Sequence, residues 1–282
     1  MTDLARASFE PVKFAAPGRR RAWLSVGAVI VFGHVLLAIV APWLPLQPVA
    51  KQNSGAILQG PSAAHWLGTD NLGRDVLART LFGGRPSIGL AVASVVLAAV
   101  LGFAIGMVAS LAGGWVDEVL MRVNDVLLAL PSLLVLLLVA SFIGRDSGVL
   151  IATLALMYAP PIARLVRTAS LNVLTRDFIV AARLRGASRR ELVISEVLPN
   201  IRGVVLTEVA MQFTWILLAF SSLSFLGLGA NPPTPEWGLM IAEGRGYMTI
   251  APLPVVAPIV MLASLVLAVN STVDRSSSDG TP

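Results

Sequence analysis

Cysteine is missing from all 282 residues, which excludes disulfides and thiolate metal sites. Histidine occurs only at His34 and His65, too few for a histidine-rich metal centre. No Gly-x-x-x-x-Gly-Lys-Ser/Thr phosphate loop, no paired-histidine metal helix and no Ser-His-Asp arrangement is present, so the chain carries no recognisable catalytic set. Charge is scarce as well: 13% of residues are Asp, Glu, Lys or Arg, where soluble domains run at about a quarter. The alternating strands of a membrane barrel, about 10 residues each, are absent.

What fills the chain is apolar sequence, 56% of it, with a mean hydropathy of +0.79. A bilayer span needs about 20 apolar residues, and the runs here suffice for several. The expected class is all-α, a polytopic membrane protein with six transmembrane helices. The spans are expected at about 22–44, 86–111, 118–143, 148–171, 201–226 and 251–270. Prolines inside them, Pro131 and Pro160 above all, predict kinks. Gly102 and Gly106 form a small-xxx-small pair that lets another helix approach closely. The polar start, MTDLARASFEPVKFAAPGRRR, has no small-residue cleavage site and reads as a retained tail, 1–21, with a second tail at 271–282.

The net charge of +5 is informative through its distribution, not as a nucleic-acid footprint; no nucleic-acid partner is expected. With the N-terminus in the cytoplasm, the outer Lys and Arg are Lys51, Arg74, Arg79, Arg85, Arg145 and Arg245. That leaves fifteen of the 21 inside, the bias expected of a bacterial inner-membrane protein with both termini cytoplasmic. The placement puts a segment at 45–85 and a loop at 227–250 outside, and an insert at 172–200 inside.

The insert, centred on DFIVAARLRGASRRELVISEVLPN from Asp177 to Asn200, is the most distinctive stretch. Arg176 to Leu184 and Arg189 to Leu198 can each form a helix. Gly186 tolerates the positive φ of a sharp turn between them. Ala181 and Ala182 would leave a smooth surface for another protein, and Pro199 would restart the chain as the fifth span. The competing reading is a solvated basic loop beside anionic membrane lipid.

The pattern Ala181, Ala182, Gly186, Leu198, Pro199 resembles the coupling motif of ABC-importer permeases. The family's Glu is Val180 here, and its frequent His is Glu196. HWLGTDNLGRDVLAR (His65 to Arg79), YAPPIARLVR (Tyr158 to Arg167) and SFLGLGANPPTPEWG (Ser224 to Gly238) are similar to further blocks of the dipeptide, oligopeptide and nickel importers, in particular their C-type permease subunit. The resemblance covers about Trp23 to Asn270. It implies a type I ABC importer fold and ATPase coupling through Ala181, Ala182, Arg183, Gly186, Ala187, Leu198 and Pro199. The implied partners are a second homologous permease, two ATP-binding subunits or domains that hold ATP and Mg, and an extracytoplasmic substrate-binding protein. The implied cargo is dipeptides, oligopeptides or related solutes, with nickel complexes and haem open.

The outer blocks have a local reading too. Gly68 and Gly73 permit turns, Asp70 is expected to cap a short helix, and Arg74 to pair with Asp75. Residues 75–82 are expected as an amphipathic turn or two at the membrane surface. Trp237 is expected at headgroup depth, and Glu236, Glu243 and Arg245 as solvated loop charges. Within the spans, Glu208 and Gln212 stack one turn apart and are the candidate pathway-lining pair. An ion-gradient-driven secondary transporter is the alternative, although neither inverted repeats nor paired intramembrane charges are visible. A membrane-embedded enzyme lacks its catalytic residues.

Overall fold

The computed structural model describes residues 18–278, with side chains from 26 to 273. Tail residues 1–17 and 279–282 lie outside the described residues. Among the described residues the chain is helical, with no strand beyond one isolated bridge between Thr69 and Asp75.

The first helix, α1 (Gly18–Val40), ends in a short 3-10 turn, Ala41–Trp43, at Pro42. An irregular stretch with one 3-10 turn, Ser54–Ala56, follows to Asp75, whose carboxylate accepts the Ala78 N–H at 2.8 Å and caps α2 (Val76–Ala112). That helix runs through Pro86 for 37 residues, about 55 Å at 1.5 Å per residue. The amphipathic turns expected at the surface are therefore the first turns of the second span's helix itself. Gly113, at φ +62, stops the helix.

The third expected span is two helices, α3 (Gly114–Ala129) and α4 (Ser132–Phe142), bent by 82°. Pro131 does more than kink this span. Leu130 before it sits in extended backbone at ψ 129, the conformation that a following proline favours. By contrast α5 (Ser147–Leu174) runs unbroken through Pro160 and Pro161. The insert follows as α6 (Asp177–Leu184), the single turn α7 (Arg189–Glu191) and a π-helical segment, Leu192–Val197. The latter runs straight into α8 (Leu198–Phe225). Pro199 thus does not restart the chain. It has no N–H to offer the preceding turn, and the wider π turn just ahead of it carries the helix through the deficit. A short helix, α9 (Trp237–Gly244), precedes α10 (Leu253–Ser278). Five helices are long and apolar enough to cross a bilayer alone, six if the bent α3–α4 pair counts as one span.

The interior has two apolar clusters. One gathers Leu136, Leu154, Leu217, Phe220 and Trp237 from α4, α5, α8 and α9. The other joins Ala98, Ala159, Ile162, Val166 and Ile201 of α2, α5 and α8. Between α2 and α5, the most extensive helix contact, the backbones almost touch. A Cβ on Gly102 would sit 2.7 Å from the Ala159 carbonyl, and one on Gly106 would sit 2.8 Å from the Val166 Cβ. The outer surface of the bundle is apolar, with Val29, Phe32, Val100, Leu206 and Leu267 each more than half exposed. Lipid tolerates such a surface; water would not.

Overpacking a close helix contact costs about 1–3 kcal/mol. Gly106→Val is therefore expected to lower the melting temperature of the purified protein, whereas Gly89→Val, where an added Cβ meets nothing within 4 Å, is expected to leave it unchanged. Equal melting of the two variants in a fluorescence thermal scan would show that the α2–α5 approach is slack.

Candidate functional site

The insert is a folded unit with its own small core. Ile179, Ala182 and Leu192 are buried, packed with Ala187 and with Val173 and Leu174 at the end of α5. At the start of α6, Asp177 places a negative charge where the helix dipole favours one. The helix ends in a Schellman motif: the Gly186 N–H donates to the Arg183 carbonyl at 2.9 Å, and the Ala187 N–H to the Ala182 carbonyl at 3.1 Å. Gly186 supplies the required φ of +86. An added Cβ there would meet nothing within 4 Å, so the constraint is backbone strain alone. Ser188 then caps the next turn by accepting the Glu191 N–H at 3.2 Å.

The two alanines of the motif part company. Ala182 faces inward and lets α6 settle onto Leu192, whereas Ala181 is exposed. Arg183 and Pro199 are exposed, Ala187 and Leu198 less fully so. What the sequence reading missed is the apolar content of the exposed face. Leu184 is 84% exposed at its tip, with Phe178 and Val180 also open. The signal was present in the register of α6, where 179 and 182 share one face and 178, 181 and 184 turn away from it. Val180, at the family's Glu position, is half exposed.

At the opposite end, the segment before α2 and the loop around α9 lock together through buried charge. Arg74 donates to Asp70 at 2.6 Å and to Glu243 at 2.7 Å; Arg79 donates to the same Glu243 at 2.9 Å. Both arginines are almost wholly buried, and two carboxylates balance two guanidiniums. Asp70 does not cap a helix; its carboxylate gathers the Leu72 and Arg74 N–H groups of a tight turn. Asp75 caps α2 in its place and also meets the His65 ring at 2.9 Å, so the expected Arg74–Asp75 pair is not formed. Glu243 is not a solvated loop charge, and neither is Glu236, which is fully buried and accepts from the Leu239 N–H and the Ser87 hydroxyl. Trp237 is equally buried, its indole N–H donating to the Thr80 carbonyl at 2.9 Å and its ring meeting His34 edge-on. Arg245 alone of that set is exposed, lying over the Phe225 ring.

Inside the spans, polar groups pair within the bundle. Gln212, almost buried, donates to the Glu208 carboxylate at 2.6 Å, and Glu208 is half-buried. His34 ties α1 to α10 through the Met261 carbonyl and the Ser264 hydroxyl. A cavity of about 250 Å³ between α8 and α10 is lined by Thr214, Trp215 and Asn270. Among the described residues no three His, Asp or Glu are grouped to hold a metal ion.

Comparison with known proteins identifies the family and the fold. The family model described as binding-protein-dependent transport system inner membrane component matches residues 98–278. A dipeptide transport system permease protein of Alkalihalophilus pseudofirmus is 34% identical over 245 residues, 87% of this chain and 81% of that one. A glutathione transport system permease protein of Pectobacterium atrosepticum is 36% identical over 240 residues, 84% and 80% of the two chains. Among solved structures, a chain of the MetNI methionine ABC transporter shares the fold, with a TM-score of 0.60 and 19% identity over 73% of this chain and 97% of that one.

The buried Glu236 generates a pH signature. Burial pushes its carboxyl above the usual range, only partly offset by the Gly238 and Leu239 N–H groups and by serine hydroxyls. A carboxyl whose folded pKa is raised contributes stability below its unfolded pKa and loses it as pH rises through the folded value. Glu236→Gln has no such titration. The melting temperature of the natural protein is therefore expected to fall relative to the Gln variant as pH rises above the usual carboxylate range, and a difference independent of pH would contradict it.

Proposed function

The chain belongs to the family of binding-protein-dependent transport system inner membrane components, the permeases of ABC importers, and from that premise we propose that it imports short peptides, driven by ATPase subunits that grip its insert. Family membership excludes the ion-gradient-driven secondary transporter. The cargo follows from the relatives: one is named for dipeptides and another for glutathione, itself a small peptide. Nickel complexes and haem are the remaining candidates. The full assembly pairs this chain with a second homologous permease, two ATP-binding subunits that hold ATP and Mg, and an extracytoplasmic binding protein that delivers substrate.

One observation carries the coupling role. An ordered basic unit, fastened to the end of α5 by its own core and continuous with α8, holds out an exposed Leu184 beside Ala181 and Phe178. A solvated loop gains nothing from ordering such a face, whereas a soluble partner covers it. Ala181, Arg183 and Leu184 form the contact, and Ala182, Gly186 and Ala187 hold its shape. Leu198 and Pro199 pass the displacement into the fifth span. ATP-driven closure of the partners then rocks the helices between two access states. The charge asymmetry places the insert in the cytoplasm and residues 45–85 outside. Glu208 and Gln212 form a polar stripe toward the second permease, since an intramembrane carboxylate avoids lipid.

Three measurements test this reading. Leu184→Asp should weaken co-purification with the ATPase subunits about tenfold or more, the loss expected of a buried interface anchor. Gly186→Val should uncouple ATP hydrolysis from transport while the six spans remain inserted; full transport by either variant would overturn the coupling role. A cysteine placed at Asn53, in this cysteine-free chain, should react with a membrane-impermeant thiol reagent added outside intact cells. Labelling only after permeabilisation would reverse the orientation.

A further inference from the structure

The broken third span is stitched to α5 by polar contacts that the apolar core does not explain; their α5 side lies in the YAPPIARLVR stretch. Asp117 of α3 receives both forks of the Arg167 guanidinium of α5, each at 2.5 Å. Asp125 pairs with Arg164 at 2.5 Å, and the buried Asn124 donates to the Pro160 carbonyl at 3.2 Å. Residues 117, 124 and 125 share one face of α3, as 160, 164 and 167 share one face of α5. The contacts therefore form a seam along the antiparallel pair.

Three features separate this seam from ordinary surface pairing. The Arg–carboxylate contact at Asp117 is bidentate, a geometry that fixes orientation as well as distance. The second pair is half exposed, and such pairs stabilise little, so stability alone does not account for it. Most of all, the seam joins two elements with different fates. From Arg167, α5 leads within three helical turns to the insert, whereas α3 ends at the 82° break. The far flank of α3 carries Val119, Val123 and Val126, an exposed apolar stripe at helical spacing. Apart from α5, α3 packs chiefly on its neighbour α2, to which it connects through the Gly113–Gly114 turn.

We propose that the Asp117–Arg167 and Asp125–Arg164 seam makes α3 travel with α5, so that displacement of the insert moves the exposed stripe of α3 about the Leu130–Pro131 break. Asp117 and Arg167 are positioning residues: they touch no substrate, and they set how much of the insert's motion reaches the third span. The inference rests on the insert being the ATPase contact.

The test uses the complete transporter in proteoliposomes with its loaded binding protein, scoring substrate moved per ATP hydrolysed. Asp117→Ala and Arg167→Ala are each expected to lower that ratio about fivefold or more, the lower end of a typical coupling between distant sites. The reciprocal exchange, Asp117→Arg with Arg167→Asp, is expected to restore at least part of it, which a role confined to folding would not do. An unchanged ratio in the single variants overturns the seam inference, as does a ratio no better in the exchange than in the singles. A drop only in the yield of assembled complex overturns it as well. The natural protein serves as the control for the premise: without ATP hydrolysis stimulated by a binding protein, the coupling reading itself fails, and the two failures are thereby distinguished.

Discussion

The approach of α2 to α5 at Gly102 and Gly106 organises everything else. Because these backbones lie against one another, α5 sits at the middle of the molecule, with α2 on one side, α3 and α4 on another and α8 over a third. Without a hydrophobic driving force between helices in lipid, such packing must come from close van der Waals fit and buried polar contacts. The glycines supply the first, and residues such as Asn124 supply the second. A central α5 then passes at Leu174 into the insert, so the insert is an extension of the most buried of the spans.

The two ends of the bundle use charge in opposite ways. At the Arg79 end, four ionised groups are taken out of water and neutralised within the protein, an arrangement that tolerates the loss of no single partner. Its effect is rigidity, since the segment before α2 and the loop around α9 cannot separate without stranding a buried guanidinium. At the insert end the ion pairs reach solvent: Asp125–Arg164 is half exposed and stabilises little, and the bidentate Asp117–Arg167 pair is only partly covered.

Legibility from sequence followed the range of the interactions. The turn at Gly186 could be read because one residue type meets a local backbone demand, and the Schellman bonds span only six residues. The register of α6 separates Ala182 from Ala181, but which of the two faces turns inward is set by Leu192 and the end of α5, far outside the helix itself. Glu236 and Trp237 were misjudged for the same reason. Their partners Ser87 and Thr80 lie about 150 positions earlier, and nothing in a proline-rich loop announces them. The pairing of Arg74 with Glu243 across 169 positions is likewise invisible to local reasoning, which defaulted to the adjacent Asp75.

The prolines make the same point more sharply. Pro131 and Pro160 both lack an N–H and both stand in apolar runs, yet one ends a helix and the other does not. Pro160 is buried with Ala159 and Ile162 against α2, and its carbonyl accepts the Asn124 amide, so packing holds the helix through it. Pro131 is exposed at the edge of the bundle, where nothing opposes the extended backbone it favours at Leu130. The pivot therefore falls on the periphery and the continuous strut in the centre. That division follows from which proline is surrounded, not from the proline itself.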